Sequence, residues 1–541
     1  MSARTALGCV FAAAGSLVLL TGLAGAAPGD LDPTFGNGGR ALVAVAPYGA
    51  SSQSSALQAD NKVVMVGTNF QMAPPPPPPA PPTRAQLEDE DFFAVRLDAN
   101  GAVDPSFGSS GIVRTPIDLD PGARDVARGV AVGPDGSIVV VGDAWRANFD
   151  SDVAFVRYTP AGELDASFSG DGIQTVDLGP QDIGYDTVVQ PDGKIVAVAT
   201  TSTYDGFEVV RLNPDGSPDQ SFGSGGIVRT PIGNPSLGDE SLAVALDGGR
   251  IVVGGDADSG TGAGDFAVVR YLSEGQPDPS FGSGGIVVTP GPEDELIRAV
   301  AVTSGEKVLV AGYGGSGSTT LRLRLARYLG DGSLDTTFGG TGVVTTAIGN
   351  YAGAVSLAIQ PDGKAVAGGW SNGGPSFALA RYNDDGSLDP SFGEGGVRTY
   401  SVGTHGGDGT SVLLQHLPDG RDRLVQTGTA WEDDGGRFAA IGLQADGAAG
   451  PPPPPPPVPP PPVPPPVPPP PPKRHCLVPR VVGQRLARAR ARIRARRCSV
   501  GRVRRARSSR ARGIVLRQSP RAGARKPLRA RVSLVVSRGR R

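Results

Sequence analysis

The chain has 541 residues, of which 80 are glycine and 52 proline, and its formal net charge at pH 7 is −2. The glycines recur at regular intervals and the prolines are concentrated in blocks, so the composition excludes a chain that is disordered throughout. Residues 473–541 contain 25 of the 51 Lys and Arg and no Asp or Glu, which leaves 26 basic residues against 53 acidic ones before position 473. The near-neutral average thus hides an acidic body and a strongly basic tail, and such a tail usually meets an anionic partner.

The N-terminus has the features of a secretory signal peptide over residues 1–26. Arg4 precedes an apolar stretch over 6–23, and the small residues at 24–26 form an AxA cleavage pattern. An uncleaved membrane anchor is the alternative, but the stretch is short for a span of about 20 residues. We therefore expect cleavage near Ala26 and an exported chain without a membrane span.

A pattern close to LDxSFGxxG occurs seven times in the body of the chain, first at 31–39 and last at 388–396, and we call these segments the marker turns. Each contains an aspartate and, three residues later, a phenylalanine: Asp32 and Phe35, Asp104 and Phe107, Asp165 and Phe168, Asp219 and Phe222, Asp278 and Phe281, Asp335 and Phe338, and Asp389 and Phe392. The aspartates are separated by 72, 61, 54, 59, 57 and 54 residues, a period that indicates a repeat architecture.

Four short apolar segments recur between one marker turn and the next. In the fourth interval they lie at 227–232, 241–246, 251–255 and 266–271, and they are rich in Val, Ile and Ala. This is the signature of β-strands, and repeats of four antiparallel strands at such a period are typical of β-propellers. We predict an all-β, seven-bladed propeller of four-stranded blades over residues 30–447.

The two ends of the repeat indicate that the propeller closes into a ring. The last unit stops at LQADG (443–447) and the first begins at DLDPTFG (30–36), whereas these pieces are contiguous in YNDDGSLDPSFG (382–393). A ring would bring the two cut ends together in one turn. An open solenoid would instead need distinct capping units.

The marker turns have a local structural logic. Asp and Gly favour tight turns, an aspartate can accept backbone N–H groups, and the phenylalanine can anchor the loop in the core. Burial of each phenylalanine should contribute about 1.5–3 kcal/mol. We interpret the marker residues as structural and expect function to lie where the blades differ.

Together with segments such as PDGKIVAVA (191–199), the marker turns resemble the delta-60 repeat, a bacterial propeller family found in secreted and surface proteins. The resemblance covers about residues 30–447 and implies the fold and the location, but no ligand. The sequence departs from the pattern at Ser169, which replaces a glycine, and at the proline-rich insertion 74–82.

A proline-rich linker, residues 448–472, follows the repeats. Positions 451–472 contain 19 prolines and three valines, a composition that favours an extended polyproline II helix. We expect a stiff spacer, with a ligand for an SH3-type domain as the alternative.

The basic tail, residues 473–541, has the pattern of a small domain. Leu486, Ala489 and Ile493 fall on one face of a helix, and strand-like segments follow at 513–518 and 532–537. In an exported chain, Cys476 and Cys498 favour a disulfide, which would stabilise the domain by about 3 kcal/mol. 

The order of VPRVVG (478–483), a helix, VGRV (500–503), QSPRAG (518–523) and VSLVVSRG (532–539) resembles a PASTA domain. This resemblance implies an association with peptidoglycan. 

The arginines of the tail are candidates for binding to the cell wall. Guanidinium groups form forked hydrogen bonds to phosphate and carboxylate, and each is worth about 1 kcal/mol near an anionic surface. The candidates are Arg485, Arg488, Arg492, Arg496, Arg504 and Arg505. A composition set by GC-rich coding is the alternative explanation of the arginines. Nucleic acid is an adequate partner electrostatically, but export argues against it as the physiological one.

Sequence motifs for catalysis and metal binding are weak. GWSNG (369–373) places Ser371 in a GxSxG pattern, but it precedes a strand where the nucleophile elbow needs a helix. No pattern connects Ser371 to His405 or His416. The aspartate-rich loops 98–104, 213–219 and 383–389 favour Asx turns, with calcium binding left as an alternative. We therefore predict no cofactor, no metal site and no catalytic residue.

We expect a monomeric, non-catalytic binding or scaffold protein that is secreted and associated with the cell wall. The propeller would bind a protein or glycan through variable loops such as 256–265 and 313–320. The alternative is a lyase or hydrolase with carboxylates at the mouth of the ring, and a passive spacer is a third possibility. Clustered Asp, Glu and Arg at one mouth would favour catalysis, whereas Gly, Ser and Thr would favour binding.

Overall fold

A computed structural model describes residues 27–46, 49–69, 90–117, 119–120, 123–146, 148–204, 206–233, 238–258, 263–315, 320–371, 377–446, 475–496, 498–527 and 529–539. The predicted signal peptide, the insertion 74–82 and the linker 448–472 lie outside these ranges. The chain divides into two compact units, Met1–Pro452 and Pro453–Arg541.

The first unit contains seven four-stranded antiparallel sheets, which we call blades 1 to 7. The strands are β2 Ala50–Leu57, β3 Val63–Asn69, β4 Phe92–Leu97 and β5 Ile112–Thr115 in blade 1; β6 Asp125–Val132, β7 Ile138–Trp145, β8 Ser151–Tyr158 and β9 Ile173–Val176 in blade 2; β10 Ile183–Val189, β11 Ile195–Thr200, β12 Phe207–Leu212 and β13 Ile227–Thr230 in blade 3; β14 Asp239–Asp247, β15 Arg250–Asp258, β16 Gly264–Tyr271 and β17 Ile286–Thr289 in blade 4; β18 Glu295–Thr303, β19 Lys307–Gly314, β20 Arg322–Tyr328 and β21 Val343–Thr346 in blade 5; β22 Ala352–Ile359, β23 Ala365–Ser371, β24 Phe377–Tyr382 and β25 Val397–Tyr400 in blade 6; and β26 Gly407–His416, β27 Asp422–Glu432, β28 Gly435–Gln444 and β1 Arg40–Val43 in blade 7.

The first strand of each blade faces a central channel. These inner strands, β2, β6, β10, β14, β18, β22 and β26, each contact the next, and β26 contacts β2. The middle strands of each blade lie between two neighbouring blades, so strands such as β4 and β12 are buried along their whole length. Because both faces of these strands are buried, their sequences are apolar over most of their length and do not alternate between apolar and polar residues. The predicted seven-bladed, all-β propeller is confirmed.

Blade 7 closes the ring with a strand from the start of the chain. Its outer strand is β1, which pairs with β28 in antiparallel register, with Arg40 opposite Ile441. The N–H of Gly29 donates to the carbonyl of Gln444 at 2.8 Å, and the N–H of Gln444 donates to the carbonyl of Asp30 at 2.8 Å. The ends of the repeat meet as the sequence predicts, because the pattern is interrupted inside one turn.

The second unit is a small α+β domain. Its elements are β29 His475–Leu477, α1 Leu486–Ala495, β30 Ser499–Ala506, β31 Val515–Ser519, β32 Arg525–Pro527 and β33 Arg531–Ser537. β33 lies between β30, which is parallel to it, and β31, which is antiparallel. Ala489 and Ile493 of α1 pack with Val532, Leu534 and Val536 of β33 in a single core. The predicted helix face is confirmed.

The disulfide between Cys476 and Cys498 is present, with the two Cα atoms 5.1 Å apart. It ties β29 to the segment between α1 and β30. In the parts of the chain that the structure describes, no helix has the length and apolar character needed to cross a membrane.

Candidate functional site

The marker turns are built around an aspartate and an arginine eight residues earlier. In blade 3, Asp219 accepts the N–H and the hydroxyl of Ser221 through Oδ1, at 3.0 and 2.7 Å, and Nε of Arg211 through Oδ2 at 2.8 Å. The guanidinium carbon of Arg211 lies 4.3 Å from the ring centre of Phe222, which is fully buried. Burial alone would raise the pKa of Asp104 in the equivalent turn, but hydrogen bonds from Ser106 and the charge of Arg96 lower it to about 2.

Each marker turn also binds the next blade. The N–H of Gly223 donates to the carbonyl of Glu274 at 3.1 Å, and the last turn reaches the start of the chain, where the N–H of Gly393 donates to the carbonyl of Pro28 at 3.0 Å. The marker arginine reaches the same neighbour, as Arg211 does through a bond to the carbonyl of Ser273. These contacts connect blade to blade, and the polar atoms of the turns are used inside the ring.

Blade 7 forms this contact with a different residue. Gly442 stands where other blades have the marker arginine, and a Cβ there would lie 2.5 Å from Cβ of Phe35. Arg423 of β27 takes its place, with Nε 2.6 Å from Oδ2 of Asp32 and Nη2 2.7 Å from the hydroxyl of Thr34. These ion pairs were not predicted from the sequence, although an arginine stands eight residues before six of the seven marker aspartates.

The channel is lined by a second set of equivalent residues, one from each blade. Every inner strand contains a single β-bulge near its start, and bulges of this kind re-aim a side chain. The bulged residues are Gln53, Arg128, Tyr185, Leu242, Arg298, Val355 and Thr410. With the exception of Val355 and Leu242, which are apolar, they carry polar groups, and all seven line a cavity of about 440 Å³. The residue at the bulge position therefore varies among the blades, whereas the marker turns are nearly the same in every blade.

Two guanidinium groups flank Tyr185 in the channel. The guanidinium carbons of Arg128 and Arg298 lie 5.5 and 5.8 Å from the centre of its ring. Nε of Arg128 donates to Oδ1 of Asp143 at 2.5 Å. Within the described residues, Arg298 has no ion-pair or hydrogen-bond partner.

Carboxyl groups lie beside these arginines. Glu240 of β14 and Asp256 of β15 are opposite each other in the sheet. Burial raises the pKa of Asp256 to about 8, helped by the negative charges of Glu240 and Asp239. Burial also raises the pKa of Glu240, against the charge of Arg298. Asp256 is thus protonated at pH 7, and its Oδ1 is buried without a hydrogen-bond partner in the described structure.

The rest of the channel mouth is aromatic on one side and polar on the other, where the carboxyl group of Asp408 also lines the cavity. Trp370 lines the cavity and packs on Tyr313 and Tyr351, with ring centres 5.8 and 5.2 Å apart. Blades 1 and 7 contribute hydroxyl and amide groups, including those of Gln53 and Thr410. The mouth therefore combines the charged lining that would favour catalysis with the hydroxyl lining that would favour binding.

The predicted variable loops begin at this mouth. Asp256 and Tyr313 are the first residues of the segments 256–265 and 313–320, and the charge of Arg298 acts on both. The central parts of the two loops, 259–262 and 316–319, lie outside the described residues.

The weak catalytic motif is not assembled into a site. Ser371 is the last residue of β23 and is buried. His405 and His416 each bond an aspartate of blade 7, Asp433 at 2.7 Å and Asp422 at 2.6 Å. Among the residues described, no three His, Cys, Asp or Glu side chains are grouped so that they could hold a metal ion.

The loops considered for calcium contain Asx turns. Oδ1 of Asp98 accepts the N–H groups of Asn100 and Ala102, at 2.9 and 3.0 Å. Oδ1 of Asp215 and of Asp385 each accept the N–H of the residue two positions later, at 3.0 and 2.9 Å.

The tail presents its arginines to solvent. Every arginine that the structure describes between 475 and 539 is exposed, and this segment contains no acidic residue. Of the candidates, Arg485 is the N-cap of α1, Arg488 and Arg492 lie on its outer face, and Arg496 is its C-cap. The adjacent Arg504 and Arg505 line two different cavities, as expected for neighbouring residues of a strand.

One of these cavities is a groove of about 540 Å³ on the face of the sheet that α1 does not cover. Arg502 and Arg504 of β30 and Arg517 of β31 line it together with Ser519 and Ser533. Arg502 and Arg517 were not among the residues predicted from the sequence, because only the pairing of β30 and β31 with β33 brings them together.

Comparison with family models identifies both units. A β-propeller model described as a domain of unknown function (DUF5122) matches residues 89–107, 133–168, 190–222, 249–281, 307–338 and 360–392. A PASTA model matches residues 477–538. No protein with a curated function matches the sequence significantly.

The solved structures that are similar to this chain share little sequence identity with it. A protein of unknown function from Dyadobacter fermentans has 11% identity and a TM-score of 0.42, covering 76% of this chain and 100% of its own. A family PL25 ulvan lyase has 11% identity and a TM-score of 0.42, covering 79% and 96%. An α-L-arabinanase of Penicillium chrysogenum has 12% identity and a TM-score of 0.36, covering 78% and 98%.

These structures correct one prediction. The inference that the chain is not an enzyme is wrong as it stands, because its similar structures include a polysaccharide lyase and an arabinanase. It relied on the absence of a catalytic motif, but the channel carboxyls Asp186, Glu240 and Asp256 come from three strands and leave no such motif. At these TM-scores the comparison assigns no activity to this chain.

Proposed function

The chain belongs to the DUF5122 β-propeller family and carries a PASTA domain, and from this premise we propose that it is an exported binding protein held at the cell wall. The PASTA domain binds an anionic polymer of the wall, peptidoglycan or another, and the propeller binds a separate ligand, a glycan or a protein. The disulfide supports an oxidising compartment, since such bonds persist outside the cytosol.

The observation that carries this proposal is the unneutralised charge of the tail. The segment 473–541 holds 25 basic residues and no carboxylate side chain, so its guanidinium groups have no acidic partner within the segment. An exposed guanidinium can form two parallel hydrogen bonds to a phosphate or carboxylate. Near a charged surface each contributes about 1 kcal/mol before screening, so a few engaged arginines are enough to retain the protein.

Sedimentation of the purified full chain with isolated cell wall tests the proposal. We expect binding at low salt and its loss at about 0.5 M salt, where the Debye length is about 4 Å. Two variants of equal net charge distinguish specific binding in the groove from non-specific electrostatic attraction to the wall. One is R502Q/R504Q/R517Q in the groove, and the other is R488Q/R492Q/R496Q on α1.

Equal weakening of both variants would show that charge alone retains the protein. A larger loss in the groove variant, with binding that resists salt, would show that the groove recognises a wall component. Failure of the unmodified chain to sediment with wall at low salt contradicts the proposal.

A further inference from the structure

The bulge positions of the channel carry charges that the fold does not require. Leu242 and Val355 occupy the same position in blades 4 and 6, so this place in an inner strand accepts an apolar side chain. Blade 5 lies between them and has Arg298 there, half-buried and without a direct ion pair or hydrogen bond among the described residues, although its charge opposes the rise that burial causes in the pKa of the nearby Glu240 and Asp186. Partial burial of an unpaired guanidinium is unfavourable. A ligand that supplies the missing anion would offset this cost.

A second guanidinium is available at the same place. Asp143 holds Nε of Arg128, and the two terminal nitrogens of Arg128 make no hydrogen bond to any residue that the structure describes. Both guanidinium carbons lie within 6 Å of the ring of Tyr185. The two groups thus present donors around one tyrosine, an arrangement suited to a carboxylate or sulfate.

Two carboxyl groups, those of Asp186 and Asp408, also line the cavity, and both accept hydrogen bonds from the propeller. The remaining groups of the mouth suit a ligand with many hydroxyls. The carboxyl group of Asp256 is protonated at pH 7, because burial raises its pKa to about 8. Gln53 and Thr410 place amide and hydroxyl groups on the opposite wall. The cavity of about 440 Å³ falls in the range of ligand pockets, about 300–1,000 Å³.

We propose that the channel mouth binds an acidic saccharide, with its anionic group on Arg298 and Arg128 and its hydroxyls toward Gln53 and Thr410. The proposal rests on the proposed function only in taking the propeller as the part that binds a separate ligand. It does not depend on retention of the tail at the wall.

Tryptophan fluorescence of the full chain provides a test that ignores the tail. All three tryptophans, Trp145, Trp370 and Trp431, belong to the propeller, and Trp370 lines the cavity. The probes are trigalacturonate, which carries carboxylates, its methyl ester, which is uncharged, and a sulfated chondroitin disaccharide. Titrations in about 0.3 M salt, where the Debye length is about 6 Å, reduce binding to the tail.

We expect a saturable change with at least one acidic probe and none with the methyl ester. R298L should weaken binding at least tenfold, and the equivalent Leu242 indicates that the fold accepts this substitution. R40L, at an exposed position of the outer strand of blade 7, is the matched control and should leave the affinity unchanged. A thermal melt of R298L, followed by the same fluorescence, verifies that the propeller is intact.

Three results would overturn the proposal: no saturable response to either acidic probe, equal affinity for the methyl ester, or unchanged affinity in R298L. The same variant separates this proposal from the proposed function, because R298L should sediment with cell wall as the unmodified chain does.

Discussion

Arginine has opposite roles in the two units of this protein. In the propeller, Arg211 is 4% exposed and bonded to Asp219, which is 6% exposed, and its equivalents join neighbouring blades. In the PASTA domain, Arg504 is exposed in a segment without carboxylate side chains. The difference shows that the partners of a guanidinium, and not its presence, decide whether it stabilises a fold or is available to a ligand. Arg298 belongs to the propeller, but like the arginines of the PASTA domain it has no direct ion-pair partner among the described residues.

The substitution Arg211→Ala is the strongest test of the difference between the arginines of the two units. We expect a loss of about 3–4 kcal/mol in the free energy of unfolding, because Asp219 loses its buried guanidinium partner and the carbonyl of Ser273 loses its donor. Lys194, with Nζ 3.1 Å from Oδ2 of Asp219, remains as the second cation of this carboxylate. Urea unfolding followed by tryptophan fluorescence, which reports on the propeller, measures this loss. Arg504→Ala is the control and should change the free energy by less than about 0.5 kcal/mol. Similar effects of both substitutions would remove the distinction between the two sets of arginines.

The PASTA domain contains no acidic residue to form ion pairs, so removal of the disulfide tests whether this bond stabilises the domain. C476S/C498S should destabilise the PASTA domain by about 3 kcal/mol, since the bond closes a loop with a sequence separation of 22 residues. The rate of tryptic cleavage within 475–539 should rise, while the fluorescence-detected unfolding of the propeller should not change. An unchanged rate of cleavage would show that the core around Ile493 is sufficient by itself.

Asp256 gives the propeller a defined dependence on pH. Its pKa is raised from 3.8 to about 8 in the folded state, so folding takes up a proton that the unfolded chain has released at neutral pH. Stability from this group therefore falls as the pH rises from about 4 to about 8 and is level above that range. Asp256→Asn should be more stable than the unmodified chain at pH 9 by about 1–2 kcal/mol, and by much less at pH 5. A difference that is the same at both pH values contradicts this account.

Ser169 is a strained position within the most repetitive feature of the propeller. Its φ is +55°, close to the +52° of the equivalent Gly223, and a side chain in this region costs about 1 kcal/mol. Ser169→Gly should stabilise the propeller by about 0.5–1 kcal/mol in urea unfolding. The matched change Gly223→Ser should destabilise it, because the new Cβ would lie 2.2 Å from the carbonyl oxygen of Ile227. Loss of stability in Ser169→Gly would show that the bond from its hydroxyl to Gln174 outweighs the strain.

The smallest expected effect has the opposite sign to that of Arg211→Ala. Arg488 lies in the first turn of α1, which has no acidic residue, and is near Arg485 and Arg492 in the neighbouring turns. Arg488→Gln should stabilise the helix by up to about 0.5 kcal/mol, because a cation near a helix N-terminus and like charges four residues apart are unfavourable. Hydrogen exchange of the amides of 486–495 measures the change, which should shrink as salt is added. A loss of stability would mean that this arginine holds the domain together.

The sequence determined the architecture because the same pattern of turn and strand residues occurs seven times at nearly regular spacing. The period of the marker aspartates, the four apolar segments per interval and the interruption of the pattern inside one turn were enough to predict seven blades and their closure. The disulfide between Cys476 and Cys498 was similarly predictable, since two cysteines in a small domain that is predicted to be exported have few alternatives. These features depend on residues that are close in sequence or on regular spacing.

Only the tertiary structure decided which side chains meet. Arg423 forms an ion pair with Asp32, which is 391 residues away in the sequence, and no local sequence pattern predicts this pair. Gln53, Arg128, Tyr185 and Arg298 come together because a bulge at the same place in each inner strand turns one side chain toward the channel. The sequence shows that the blades differ, but closure of the ring decides which of the differing residues share a cavity, since it brings strands from separate blades within reach of one another.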